Sequence, residues 1–229
     1  LRLVPAGPPP ADRAEHALTL IRSDLALAGF PVILKPNNGE RGHAVKIARS
    51  DADVHAYFAH MTADAIVQRY HPGPHECGIM WVRKPPTQPQ AARENNPTPA
   101  LAGDIFALTD KVFPFVTGDG RRTLEDLIWD HPRYRLQADV FTKRFATDLA
   151  RVPTAGERIQ LARSGNHCQG TLFRDGEHLR SPALEKAIDD IARAFPRLDV
   201  GRFDVRYESL EALQRGEFAI VELNGTASE

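Results

Sequence analysis

Two segments near the end of the chain, Gly201 to Tyr207 and Phe218 to Leu223, read as strands joined by a charged connection. A period of two places alternate side chains on one face of a strand. Arg202 and Asp204 therefore point together, as do Glu222 and Asn224 on the following segment. If the two strands pair antiparallel, four polar groups converge. Asp, Glu and Asn supply hard oxygen ligands, the set magnesium takes when phosphates complete its shell. The arginine is left to hold a negative oxygen. Taken alone, the same residues also suit the wet face of a half-exposed antiparallel sheet.

The chain's 229 residues suffice for one large domain or for two small lobes sharing a cleft. Its 29 basic and 30 acidic residues leave a net charge of -1, so no basic excess offers itself to a nucleic acid. Cys77 and Cys168 lie far apart and form no CxxC, which argues against a disulfide framework or structural zinc and for a cytoplasmic setting. The nine histidines make no HExxH pattern. No apolar run approaches the length of a membrane span, so no membrane partner is expected. Leu1 and Glu229 read as the ends of a fragment.

Along the chain, the proline-rich opening to Pro10 reads as an arm, and Ala11 to Ala28 as a helix stopped by Gly29. Phe30 to Lys35 is a short apolar strand, and Val45 to Ala48 resumes strand character, making a hairpin around the loop Pro36 to Gly42. Asp51 to Met61 is helical, capped by Ser50 or Asp51. Ala65 to Gln68 and Cys77 to Val82 are further strands. Prolines 85, 86, 89, 97 and 99 mark an exposed loop over 84–99 and a lobe boundary. Beyond it come a strand over Asp104 to Leu108, a helix from Leu124 capped by Thr123, and an amphipathic helix over Ala183 to Phe195, with Leu184, Ile188, Ile191 and Phe195 on one face. Trp81 and Trp129 read as core or cleft-wall residues.

Lys35 closes its strand just before a loop containing Gly39 and Gly42. An ammonium there reaches phosphate oxygens, and the glycines let backbone N–H groups approach them. The spacing is not that of a Walker A loop; alone, it describes a hairpin turn with a solvated lysine. A third element is the strand end and turn from Ile66 to Glu76, whose exposed backbone suits an adenine edge and whose Glu76 suits ribose hydroxyls.

These elements in this order, over Phe30 to Glu229, resemble the ATP-grasp superfamily. Thr109 to Ile128, with Gly118-Asp119-Gly120 at its centre, looks like a segment of cyanophycin-synthetase-like carboxylate–amine ligases, and Glu222 to Gly225 is similar to the metal-binding strand of D-alanine–D-alanine ligases. The resemblance implies an α+β, two-lobed ATP-grasp fold with a nucleotide cleft between antiparallel sheets. It divides the chain into an arm and helix over 1–29, a small lobe over 30–98 and a large lobe with the metal site over 99–229. It implies ATP and magnesium, with manganese as an alternative, small-molecule carboxylate and amine substrates, an acyl-phosphate intermediate, and a homodimer as a common state.

By the same resemblance, Lys35 contacts the phosphates and the loop Asn37 to Gly42 closes over them. Gln68, Arg69, Tyr70 and His71 line the adenine site, and Glu76 binds ribose, with His75 a rival. Asp204, Glu222 and Asn224 hold the metal, and Arg202 stabilises the oxyanion and transferred phosphate. Gln68 stands where many relatives carry an acid, and no lysine precedes Lys35. Lys111, Arg121 and the Arg163 to Gly170 segment, with Asn166 in it, are candidates for substrate or phosphate. Two other readings stay open: a nucleotide sensor without turnover, and an ATP-grasp carboxylase or phosphotransferase.

Overall fold

The computed structural model describes residues 1–24, 26–38, 44–85, 102–162 and 165–225, in two compact units, Leu1–Pro72 and Gly73–Glu229. The first unit runs β1 (Arg2–Val4), α1 (Pro10–Ser23), β2 (Val32–Pro36), β3 (Lys46–Ala48), α2 (Asp51–Phe58) and β4 (Ala65–Arg69). Its strands form one antiparallel sheet in the order β1-β4-β2-β3. The expected hairpin is there, and Val32, Leu34, Ala65 and Val67 turn into a core with Ala14, Leu18 and Ile21 of α1 and Val54 and Phe58 of α2. Each fully buried Leu, Ile or Phe contributes about 1.5–3 kcal/mol. The Ser50 side chain caps α2, and Asp53 reciprocates in a capping box.

Two expectations for this unit are corrected. The proline-rich opening is not only an arm: Arg2 to Val4 pair with Ala65 to Val67, because Val4 has a core to enter. The first helix stops at Ser23, not at Ala28. Asp24 leaves the helical region at φ -90° and ψ 108°, and its carboxylate accepts the Ala26 N–H at 2.9 Å. A local side-chain turn has replaced the next helical bond. Gly29, with φ +73°, lies beyond that turn.

The second unit runs β5 (His75–Arg83), β6 (Gly103–Val112), β7 (Phe115–Thr117), α3 (Leu124–Asp130), α4 (Ala138–Arg144), β8 (Arg158–Gln160), β9 (Leu172–Asp175), α5 (Pro182–Arg193), β10 (Val200–Tyr207), α6 (Leu210–Gln214) and β11 (Ala219–Asn224). Five strands make an antiparallel sheet in the order β11-β10-β5-β6-β9. Its inner face, with Cys77, Ile79, Trp81, Phe203, Val205 and Tyr207, packs with Leu184, Ile188 and Ala192 of α5 and Leu213 of α6. β7, β8, α3 and α4 build a smaller core around Val116, Leu124, Ile128, Phe141 and Leu161. Thr123 caps α3 as expected, in a capping box with Asp126.

β5 is hydrogen-bonded along its length to both β6 and β10. The division between compact units therefore precedes it, at Pro72/Gly73, and does not fall in the proline-rich stretch 84–99, most of which lies outside the described residues. The strand expected over Asp104 to Leu108 continues to Val112. Trp81 is fully buried, and Gly103 makes room for it: a Cβ there would sit 2.2 Å from the indole ring. Trp129 is half exposed, as is Phe195, which lies past the end of α5 and not on its apolar face. Asp189 of α5 is fully buried and accepts the N–H groups of Ala102 and Gly103 and the Arg193 Nε. Burial pushes its carboxyl up, but Arg193 and the two amides outweigh this and hold it below the usual range. No helix among the described residues is long and apolar enough to cross a membrane.

Candidate functional site

The outer face of the five-stranded sheet carries the polar residues that alternate with the core. On β10, Phe203, Val205 and Tyr207 turn inward, leaving Arg202, Asp204 and Arg206 outside. β11 pairs with it antiparallel, so that Asp204 faces Glu222 and Arg202 faces Asn224. Directly opposed residues have Cβ atoms about 4.5–5.5 Å apart. The convergence expected of these four residues is thus built by register. It needs one irregularity. Ile220 and Leu223 both pack against the core, three residues apart, and the register shift between Asp204 and Val205 accommodates this by leaving Val221 as an extra residue.

Beside them lies an ion network that joins three strands. Lys111 of β6 places its Nζ 2.9 Å from Glu76 Oε1 and 2.9 Å from Asp204 Oδ1, and Arg206 Nε is 3.3 Å from Glu76 Oε2. The Lys111, Glu76 and Asp204 side chains are only 4%, 6% and 12% exposed. Burying such charges is costly and is sustained only by close partners. Two glycines border the network, and the second makes its space. A Cβ on Gly78 would lie 3.4 Å from Asp204 Oδ1, and one on Gly165 would fall 2.0 Å from Glu76 Oε1 and 2.5 Å from the Lys111 stem. The Gly165 backbone therefore lies directly over the pair, and a side chain there would force the Glu76 carboxylate and the Lys111 stem to shift.

Two polar atoms of this face are buried without a hydrogen bond: Asp204 Oδ1 and Asn224 Nδ2. For Asp204 the nearby Lys111 and Arg202 nitrogens, at 2.9 and 3.5 Å, are ion-pair neighbours whose angles do not make hydrogen bonds. An unsatisfied buried amide costs about 1–3 kcal/mol, which applies to Asn224, whereas Asp204 Oδ1 is compensated by its Lys111 ion pair. Turning the Asn224 amide presents its oxygen instead of its nitrogen. Two carboxylates and an amide oxygen, with Glu222 exposed, then fit a hard divalent cation that takes its remaining ligands from phosphate or water. Among the described residues, no group of three or more His, Cys, Asp or Glu side chains gathers for a metal.

In the first unit, Lys35 and Gln68 share the sheet face opposite the core. Lys35 is opposite Ile66, and Ile33 is flanked by Gln68 on β4 and Ile47 on β3. Ile33, Ile47 and Ile66 are half-buried, so this face offers an apolar platform with an ammonium at one end and an amide beside it. Arg69 ends β4 exposed, and Tyr70 and His71 follow it half-buried. Gly39 and Gly42 lie outside the described residues.

The other expected residues have local roles. Glu76, assigned to ribose by resemblance, has both carboxylate oxygens engaged by Lys111 and Arg206, while His75 is exposed and stacks on Tyr207 with ring centroids 5.3 Å apart. Arg121 is exposed, and its N–H is donated to Asp119 at 2.9 Å. The Gly118-Asp119-Gly120 turn is held by packing: a Cβ on Gly118 would meet the Thr154 carbonyl at 2.3 Å, and Gly120 has φ +74°. Hydrogen bonds from the Arg122 N–H and side chain hold the Asp119 carboxyl well below its ordinary value. Asn166 accepts the Cys168 N–H at 2.8 Å and caps a short 3₁₀ turn. Burial pushes the Cys77 thiol up, so it stays protonated, and Cys168 is exposed and free.

Two participants escaped the sequence reading: Arg206 and Gly78. Arg206 was within reach, since it continues the Arg202, Asp204 alternation on one strand. Gly78 carries no such signal. The close backbone approach expected of Gly165 is present, over the Lys111–Glu76 pair.

No family profile and no curated protein sequence matches the chain. Among solved structures it is similar to a bifunctional glutathione synthetase from Pasteurella multocida, at 15% identity and TM-score 0.40, over 93% of this chain and 32% of that one. It is also similar to D-alanine–D-alanine ligase from Bacillus anthracis, at 12% identity and TM-score 0.42, over 95% of this chain and 56% of that one. The same ligase complexed with ATP matches at 11% identity and TM-score 0.43, over 95% and 54% of the two chains. The chain thus spans from about a third to just over half the length of these structures. Both architectures here, the four-stranded and the five-stranded antiparallel sheet with helices on one face, are those of an α+β protein.

Proposed function

We propose that this chain is the nucleotide-binding and catalytic part of an ATP- and magnesium-dependent ATP-grasp ligase that joins a carboxylate to an amine through an acyl phosphate. The observation that carries the reading is the β10–β11 register, which sets Asp204 against Glu222 and Arg202 against Asn224, with Asp204 Oδ1 and Asn224 Nδ2 buried and making no hydrogen bond. Amino acids or peptides are the proposed substrates.

Asp204, Glu222 and Asn224 would hold the magnesium, which supplies charge neutralisation for the phosphates when bound. Lys35 binds phosphate oxygens, and Ile33, Ile47 and Ile66 pack against adenine beside Gln68 and the following residues to His71. A substrate carboxylate oxygen attacks the γ-phosphorus, the bond to the β-phosphate oxygen breaks, and ADP leaves. Arg202, 45% exposed at its side chain, holds the negative charge that develops on the transferred group. An amine nitrogen then attacks the acyl carbon, phosphate departs, and the amine loses a proton. Glu76, bound to Lys111 and Arg206, acts here by fixing Lys111 and leaves ribose to other groups, with His75 exposed nearby in sequence.

The test is phosphate release from ATP by the complete protein across amino acids and dipeptides, with product mass measured and hydroxylamine present in parallel. Release with a hydroxamate product is the expected result. Asp204→Asn and Glu222→Gln are expected to lose turnover by at least about 100-fold, the scale of one lost transition-state stabiliser, while keeping the fold. Nucleotide binding without release across the panel would replace this reading with that of a sensor.

A further inference from the structure

The outer face of the second unit is unusual in its charge balance. Among the described residues, the middle of this face across β6, β5, β10 and β11 carries three acids, Glu76, Asp204 and Glu222, and three bases, Lys111, Arg202 and Arg206, while Asp104, further along β6, is paired with Lys84 at 2.8 Å. Asp175 stands apart on the edge strand β9, exposed, with its carboxylate accepting the Glu177 N–H. The central group therefore sums to zero before any ligand arrives. A bare divalent cation entering between Asp204 and Glu222 would bring two positive charges into a balanced site that is buried on its Asp204 side and open at Glu222. It would also compete for Asp204 Oδ1 with an ammonium already 2.9 Å away.

That ammonium is not free to leave. Glu76 holds it from the other side at 2.9 Å, Arg206 holds Glu76, the Lys111 Nζ is 5.7 Å from the Phe173 ring, and the Gly165 backbone closes over the Lys111 stem. Lys111 behaves as a fixed charge, and in a dry environment its repulsion of a second cation is little screened. A polyphosphate reverses the balance, because its negative charges exceed the positive charges of the metal it carries.

We infer that Lys111 is a built-in counter-ion that makes this site take its divalent cation together with a polyphosphate and reject the cation alone. This rests on the nucleotide reading above. Binding of the two ligands is then mutually cooperative, each raising the affinity of the other by the same factor. Lys111 acts as a positioning residue: its partners are the ligating carboxylate and Glu76.

The experiment measures Mn²⁺ binding to the full chain by the electron paramagnetic resonance signal of free Mn²⁺. It compares Mn²⁺ alone with Mn²⁺ plus a non-hydrolysable ATP analogue, corrected for the Mn²⁺–analogue association in buffer. The wild type is expected to bind Mn²⁺ about 100-fold more tightly with the analogue present, within the usual range of coupling. Lys111→Met is expected to raise the affinity for Mn²⁺ alone by about tenfold or more and to shrink the coupling accordingly. Lys111→Arg, which keeps the charge, should restore the wild-type preference. Circular dichroism checks that each variant is folded; should the methionine variant fail, Lys111→Gln keeps a donor for Glu76 and decides the same question.

Equal Mn²⁺ affinity with and without the analogue in the wild type would overturn the inference while leaving the nucleotide reading intact. So would a folded, uncharged variant with unchanged affinity for Mn²⁺ alone. A wild type that binds neither the analogue nor its Mn²⁺ complex would instead remove the nucleotide reading itself.

Discussion

The two faces of the five-stranded sheet are made by the same strands yet obey different rules. Inward, Cys77, Ile79, Trp81, Phe203 and Val205 meet helices and are fully buried. Outward, Glu76, Gly78, Arg202, Asp204 and Arg206 alternate with them one residue at a time. The inner face is held by volume and apolar area. The outer face holds charges whose burial is expensive and two polar atoms without a hydrogen bond, and it is covered at Gly165, where a side chain would intrude. A sheet built for stability alone would not keep such a face, and strain of this kind is expected where function is placed.

This contrast can be tested from its largest effect downwards. Phe203→Ala empties a fully buried site on the inner face and is expected to cost about 3–5 kcal/mol in urea denaturation. A loss below about 1 kcal/mol would mean the inner face is not the support it resembles. Asp189→Asn, under the inner face on α5, weakens charge-assisted bonds to Ala102, Gly103 and Arg193 and should cost about 1.5–3 kcal/mol at neutral pH. The folded carboxyl sits below its ordinary value, so its contribution is complete above the unfolded pKa and is lost as pH falls through the folded one. The deficit of this variant should therefore shrink on acidification below about pH 4; a deficit that grows there would reverse the sign.

Thr123→Ala removes the cap of α3 in the smaller core and should cost about 1 kcal/mol. Glu222→Gln, exposed on the outer face, should change stability by no more than about 0.5 kcal/mol while abolishing turnover. A large loss of stability there would erase the distinction between the faces.

The residues legible in the sequence were those whose partners are signalled by a local period. The alternation around Arg202 and Asp204, and the Ser50 and Thr123 caps, could be read because each is written within a few residues. β1, β7 and β8 could not, since three residues carry too little pattern and their pairing is decided by distant strands. The helix end at Ser23 was missed because Asp24 satisfies a local turn that an apolar count does not see. The Lys111–Glu76–Arg206 network was hidden for another reason. Its members are separated by 35 and 130 positions, and only the pairing of β5 with β6 and β10 brings them together.

The extra residue Val221 has a consequence for how such a face can evolve. It works as a phase shifter: upstream of it the strand keeps one alternation, downstream the other, so the wall of the molecule and its chemistry are tuned separately. Were the strand instead to run in regular alternation from Ile220 through Val221, Glu222 and Asn224 would turn toward the hydrocarbon side and Leu223 toward water, without altering any of the three side chains themselves.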